Sequence, residues 1–187
     1  MLDSLIGYLE TQSLNNVLTL LALLVPILLA ITYWFRAKVS RESERVIGEN
    51  FRAVVKQISS GNAEESTSAA ILLRRFFDPK SEFGVNKTPY AGDCVTVICG
   101  LLKVLPTSNL QKALADGLRY APPDKLLRVD LQRANLSKAY LSRNDAGKPL
   151  ELIGADFFQA NLSGASLKGA VLRNAQFYEA NLARTVL

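Results

Sequence analysis

The last segment of the chain, residues 124–187, repeats with a period of five. A small residue, a mostly polar one and then Leu or Phe recur along it, as in Ala155-Asp156-Phe157 and Ala160-Asn161-Leu162. An amphipathic helix would place apolar residues at steps of three and four, and a strand alternates its two faces every second residue. A strict period outside both patterns indicates a repeat architecture, in which each copy packs on its neighbours.

Eleven repeat units keep this register between residues 129 and 187, with one interruption at 144–149. That interruption, Asn-Asp-Ala-Gly-Lys-Pro, is rich in turn-forming residues, so we predict a loop there. Leu150 stands beside the loop at a position where the other repeats have a small residue, which leaves the geometry of that corner open. The predicted repeat core consists of Leu131, Leu136, Leu141, Leu152, Phe157, Leu162, Leu167, Leu172, Phe177 and Leu182, with Ala134, Ala155, Ala160, Ala165, Ala170, Ala175 and Ala180.

Copies such as ANLSK (134–138), ADFFQ (155–159) and ANLSG (160–164) resemble the pentapeptide-repeat family, whose motif is A(D/N)LXX. The resemblance implies a right-handed quadrilateral β-helix with one repeat per side, four repeats per coil and about three coils. Twenty residues per coil would stack Phe157 on Phe177. The basic residues that recur every five positions from Arg128 would then ring the first coil rather than line one face.

Nineteen residues without a charge, 17–35, lie near the N-terminus. We predict a transmembrane helix over 14–35, since about 20 apolar residues cross a bilayer. Basic residues follow this stretch and none precede it, which favours an uncleaved single-pass anchor with the N-terminus outside and the rest of the chain in the cytoplasm. The predicted membrane-interface residues are Tyr33, Trp34, Arg36, Lys38 and Arg41.

Two further segments complete the predicted organisation. Residues 1–13 are either an interfacial amphipathic segment or a frayed terminus. Residues 36–123 show helical spacing and form a small cytoplasmic helical segment, with Ser108 capping its last helix. The fold class is therefore a transmembrane helix, a helical segment and a β-helix. The order of these parts is also similar to that of bacterial membrane-anchored pentapeptide-repeat proteins, which implies a location in the bacterial inner membrane.

Composition argues against catalysis and cofactor binding. The chain has no histidine, so it lacks the commonest general base and metal ligand. Cys94 and Cys99 are too few for a zinc site and are expected to be buried reduced thiols. The net charge of +5 is spread without a Lys/Arg cluster, so nucleic acid is not an expected partner. We predict no catalytic residue, no metal and no cofactor.

The favoured function is a non-catalytic membrane-anchored scaffold that presents a rigid surface to an unknown protein partner. The last coil, if left open, would also allow self-association. One alternative is a self-associating membrane effector, for example in phage defence. Another is a DNA mimic that binds a type II topoisomerase, although residues 124–187 carry nine basic and six acidic groups rather than an acidic excess.

Overall fold

The computed structural model describes residues 26, 30, 32–34, 38, 42, 44–81 and 90–187. The chain divides into two compact units, Met1–Val46 and Ile47–Leu187. All described residues of the first unit are helical. Within that unit the Arg45 guanidinium donates to the Glu42 carboxylate, with Nη2 2.6 Å from Oε1.

The predicted transmembrane helix requires a correction. A span needs about 20 consecutive apolar residues, and no helix in the described part of the chain is long and apolar enough to cross a membrane. The predicted transmembrane helix and the predicted inner-membrane location are therefore not retained. Of the stretch 14–35 the structure describes only residues 26, 30 and 32–34. The rest of it, together with 1–13, lies outside the described residues.

The second unit begins with helices. Residues 47–58 are helical and form α1. The later helices are α2 (Ala63–Leu72), α3 (Tyr90–Val104), α4 (Asn109–Gly117) and α5 (Pro123–Leu126), with 3-10 turns Leu73–Phe76 and Leu118–Tyr120 extending α2 and α4.

Two of these helices start at side-chain caps. The Asn62 side chain accepts from the backbone N–H of Glu64 at 3.0 Å, ahead of α2. Ser108 Oγ accepts from the N–H of Gln111 at 3.1 Å, ahead of α4, as the sequence predicts. Such caps satisfy N–H groups that the first turn of a helix leaves without a partner.

Helices α1–α5 with their 3-10 extensions, which we call the helical part, pack around an aromatic cluster and a set of buried aliphatic side chains. The Phe51 ring meets Phe76 edge to face at 5.5 Å and stacks on Tyr90 at 5.3 Å between ring centroids. A Cβ added at Gly48 would lie 2.7 Å from the Tyr90 hydroxyl oxygen, so glycine there allows Tyr90 to approach α1. Ile98, Leu102, Leu114 and Leu118 are fully buried in this core, which continues without a break into the repeat segment.

The repeat segment is wound into coils that pair in parallel. Coil 1 comprises residues 126–142, coil 2 comprises 150–169 and coil 3 comprises 170–187, with the loop 143–149 between the first two. Coils 2 and 3 pair at an offset of 20 residues, as in Asn161 with Asn181, and the loop lengthens the offset between coils 1 and 2 to 26, as in Asn135 with Asn161.

The way in which the coils pair contradicts the predicted β-helix. The described residues of the repeats contain no extended strand and no sheet, and their coils are joined by isolated single-residue bridges. The physical reason is the length of the repeat. Except after Leu141, beside the loop, the two residues that follow each central Leu or Phe form a turn. This leaves one bridging residue in five, too few for a ladder of consecutive pairs.

Candidate functional site

The interior of the coils holds the predicted core residues, with burial that decreases along the segment. The central side chains from Leu131 to Leu167 are at most 1 % exposed, and Ala134, Ala155, Ala160 and Ala165 are fully buried. Leu172, Phe177, Ala170, Ala175 and Ala180 are half-buried, and Leu182 is 38 % exposed. Phe157 stacks on Phe177 with ring centroids 4.8 Å apart, at the 20-residue spacing. Leu150, whose corner the sequence leaves open, is 2 % exposed.

The corners of the coils have left-handed backbone. The second residue after the central one has a positive φ in most repeats, for example 57° at Arg133 and 68° at Gly164. Glycine adopts this conformation without strain, whereas other residues are strained there. Coil 2 uses glycine at three corners, and basic side chains of coil 1 and of the loop lie over them: a Cβ at Gly164 would be 3.6 Å from Lys138 Cγ. Of the periodic basic residues, Arg128, Arg133 and Lys138 thus occupy separate corners of coil 1, and Arg143 and Lys148 belong to the loop 143–149.

The helical part caps the edge of coil 1. Between coils, the N–H of the bridging residue donates to a carbonyl of the preceding coil, as Asn161 does to Ala134 at 2.9 Å. In coil 1 the N–H of Asn135 donates instead to the carbonyl of Leu102, at the C-terminal end of α3, at 2.7 Å. The carbonyls at a helix C-terminus have no partner within the helix. The bond therefore gives a partner both to the Leu102 carbonyl at the end of α3 and to the Asn135 N–H at the edge of coil 1.

Gln111, on α4, completes this cap from the other side. Its Nε2 donates to the carbonyl of Asn135 at 2.8 Å and lies 3.5 Å from the carbonyl of Ser137. Both carbonyls belong to positions that, in coils 2 and 3, accept bonds from the preceding coil. The side-chain amide of the fully buried Gln111 thus takes the place of backbone donors.

A second contact joins the helical part to the loop 143–149. The Arg119 guanidinium, with its side chain 10 % exposed, pairs with Asp116 and donates to the carbonyl of Arg143. The Tyr120 hydroxyl donates to Asp145 at 2.6 Å. Burial, followed by this bond to Asp145, raises the pKa of Tyr120 above its usual value. These contacts hold the loop 143–149, which interrupts the repeat, against the helical part.

A third contact is an ion pair at the edge of α3. Lys103 Nζ lies 2.7 Å from Asp130 Oδ2 on coil 1. The hydrogen bond from Lys103 is the main cause that lowers the pKa of the Asp130 carboxyl. Both side chains are partly exposed, so the pair contributes about 0–1 kcal/mol.

Outward positions of coils 2 and 3 differ strongly in chemistry. On one side, Phe158 and Tyr178 stack in parallel with centroids 5.7 Å apart and planes 4° apart. Tyr178 is 70 % exposed. We call this side, residues 155–159 and 175–179, the aromatic face. The equivalent outward positions elsewhere hold Ile153, Ser163, Lys168, Arg173 and Ala183.

The remaining candidate residues show no arrangement for catalysis. Cys94 and Cys99 are buried free thiols, and burial raises the pKa of each to about 12. No group of three or more His, Cys, Asp or Glu residues suited to a metal ion occurs in the described part of the chain.

The predicted membrane-interface residues are only partly described. Tyr33 and Trp34 are 77 % and 61 % exposed, and Lys38 Nζ lies 5.1 Å from the centroid of the Trp34 ring. Arg36 and Arg41 fall outside the described residues.

Sequence reasoning missed the cap. A signal was present in α4, where Gln111, Leu114, Ala115 and Leu118 follow the spacing of one buried helix face. A glutamine among buried apolar residues indicates that its amide has a specific partner. The identity of that partner, the edge of coil 1, depends on the tertiary packing of α4.

Comparison with known proteins identifies the repeats. Residues 151–187 match the family model for pentapeptide repeats in eight copies. The match starts after the loop, while the coil pairing of residues 130–140 with 156–166 extends the same architecture before it. No curated protein matches the chain. Pentapeptide repeats are generally non-enzymatic solenoids that mediate protein interactions.

Proposed function

We propose that this chain, whose residues 151–187 belong to the pentapeptide-repeat family, is a non-catalytic interaction module in which the coils present a rigid outer surface to a protein partner. The observation that carries the proposal is the backbone of coils 2 and 3. Every bridging residue there from Asp156 to Val186 is fixed by two backbone hydrogen bonds of 2.6–3.0 Å to the preceding coil. Such a backbone is already ordered before a partner binds, so binding costs little backbone conformational entropy.

The charge of the repeats argues against a DNA mimic that binds a type II topoisomerase. A DNA mimic requires an acidic surface, and residues 124–187 carry nine basic and six acidic side chains, a net +3. The outer surface is instead mixed in charge and carries exposed aromatic rings. Exposed tyrosine is among the residues enriched at protein interfaces.

Site-specific photocrosslinking in the cells that express the chain would test this function. A photoreactive amino acid is placed at one outward position per side, Lys168, Arg173 or Tyr178. The control is Lys80, an exposed residue of the helical part. We expect an adduct with a protein of the same mass from at least one repeat position and not from Lys80. Absence of any adduct from the repeats, or identical adducts from Lys80, would show that the repeats are not the binding surface.

A further inference from the structure

The aromatic face differs from the other sides of coils 2 and 3 in charge as well as in its rings. Residues 150–187 contain three acidic and three basic side chains. Two of the acids, Asp156 and Glu179, lie on the aromatic face, and no lysine or arginine does. The three basic residues, Lys168, Arg173 and Arg184, belong to other sides. In a chain with a net charge of +5, the part of this side that coils 2 and 3 form is therefore acidic and aromatic, and Arg133 of coil 1 borders it, with Nε 3.1 Å from Gln159 Oε1.

Both carboxylates flank the ring pair and are held by neutral groups. Asp156, two residues before Phe158, accepts from its N–H at 2.9 Å and from Gln132 Nε2 at 2.6 Å. Glu179, next to Tyr178, accepts from Gln159 Nε2 at 2.6 Å. Among the described residues neither carboxylate has a cationic partner, whereas Asp116 and Asp130 pair with arginine and lysine. The face thus offers two positioned negative charges beside exposed ring surface.

The same chain shows how such a surface accommodates a cation. The Arg119 guanidinium lies 4.8 Å from the centroid of the Tyr140 ring while its nitrogens bond to Asp116. A guanidinium combines flat stacking on an aromatic ring with bonds to a carboxylate, and it loses less hydration than an ammonium. A face that carries stacked aromatic rings together with carboxylates is complementary to that group.

We propose that the aromatic face binds an arginine-bearing segment of a protein partner, with the guanidinium against Tyr178 and bonded to Glu179 or Asp156. This inference rests on the proposed interaction function and specifies its site and the chemistry of its partner. Because the chain as a whole is basic, long-range electrostatics oppose a cationic ligand. Binding must then come from this local surface.

The probe is a fluorescein-labelled Gly-Ser-Arg-Gly-Arg-Ser-Gly peptide, titrated with the purified 187-residue chain and followed by fluorescence anisotropy. A second peptide carries citrulline in place of arginine, which keeps the shape and removes the charge. We expect the arginine peptide to bind and the citrulline peptide to show no binding up to about 1 mM, the weak end of specific affinities. Equal binding of both peptides, or no binding of either, would overturn the inference.

Variants locate the site. Tyr178→Ala should weaken binding about tenfold or more and Tyr178→Phe by less than about twofold, since the ring rather than the hydroxyl is the contact. Glu179→Gln should weaken it about three- to tenfold. The matched control, Glu151→Gln, makes the same charge change on another side and should leave affinity unchanged. Equal losses in Glu151→Gln and Glu179→Gln would refute a localised site.

The two proposals fail separately. If Tyr178→Ala loses the peptide but crosslinks from Lys168 persist, both stand, with contacts on more than one side. If the crosslinked partner is retained in full by Tyr178→Ala and by Glu179→Gln, the repeats bind it elsewhere and this inference is wrong. Circular dichroism of each variant, matched to the unmodified chain, shows that a loss of binding is not a loss of folding.

Discussion

The amide of Gln111 replaces donors that a preceding coil would supply, and removing it tests whether the helical part is a cap. In Gln111→Leu the size of the side chain is nearly kept, but the carbonyls of Asn135 and Ser137 lose their donor. A buried polar group left without a partner costs about 1–3 kcal/mol. The 3.5 Å contact to Ser137 contributes little of this. In addition, Gln111 Oε1 has no partner among the described residues, so its removal offsets part of the loss. We expect a net destabilisation of about 1–2 kcal/mol.

Urea unfolding followed by circular dichroism measures this difference. The midpoint should fall without a change in the slope of the free energy against urea, because the folded surface is unchanged. Gln57→Leu is the matched control, since Gln57 is an exposed residue of α1, and it should change stability by less than about 0.5 kcal/mol. A Gln111→Leu chain as stable as the unmodified one would refute the capping role.

The variant Gln111→Glu tests the same cap through the pH dependence of its stability. An ionised carboxylate has no donor and would face two carbonyls in a buried position, so its pKa in the folded chain must rise above the unfolded value of about 4.3. The protonated acid can still donate one bond. The stability of this variant relative to the unmodified chain should therefore be highest below about pH 4 and fall as pH rises through the raised pKa. A difference that is constant with pH would contradict the geometry.

Four further predictions concern other parts of the second unit. Because burial raises the pKa of Cys94 and Cys99 to about 12, iodoacetamide at pH 8 should modify neither thiol in the folded chain and both in guanidinium, as read by mass spectrometry. Gly154→Ala should destabilise by about 1 kcal/mol or more, because φ is +69° and the new Cβ would lie 3.1 Å from a side chain above it. Gly100→Ala, in an open position on α3, should instead stabilise by up to about 1 kcal/mol in the same urea assay. Phe157→Ala removes a fully buried ring and should cost about 3–5 kcal/mol in thermal or urea unfolding.

Much of the repeat geometry follows from its period. The spacing of five identifies the inward residues, and the four-sided coil that the family resemblance implies predicts the stacking of Phe157 on Phe177 that the structure shows. The period does not tell how many residues of each repeat remain extended. Left-handed corners, of which Gly164 and Gly169 at one register position are the visible sign, shorten the extended part to a single residue. The expected β-helix strands are therefore absent from the described repeats.

The hydropathy of residues 14–35 predicted structure less well than the period of the repeats did. It led to a transmembrane helix that the described helices do not contain. The cap was missed for a different reason. The bond from Asn135 to the carbonyl of Leu102 joins residues 33 positions apart, and no local pattern encodes such a pairing. Only the glutamine on the buried side of α4 indicated that a polar partner existed.

The position of the aromatic face relative to the cap has a consequence for its function. In stacked repeats each coil interacts mainly with its neighbours, so a local defect weakens with distance along the stack. The cap acts on coil 1, whereas Phe158 and Tyr178 belong to coils 2 and 3. Loss of the Gln111 amide should therefore lower the free energy of unfolding without altering the affinity of the folded chain for an arginine peptide. The Gln111 variants and the variants at Tyr178 and Glu179 thus act on different coils, and the two sets can be interpreted independently.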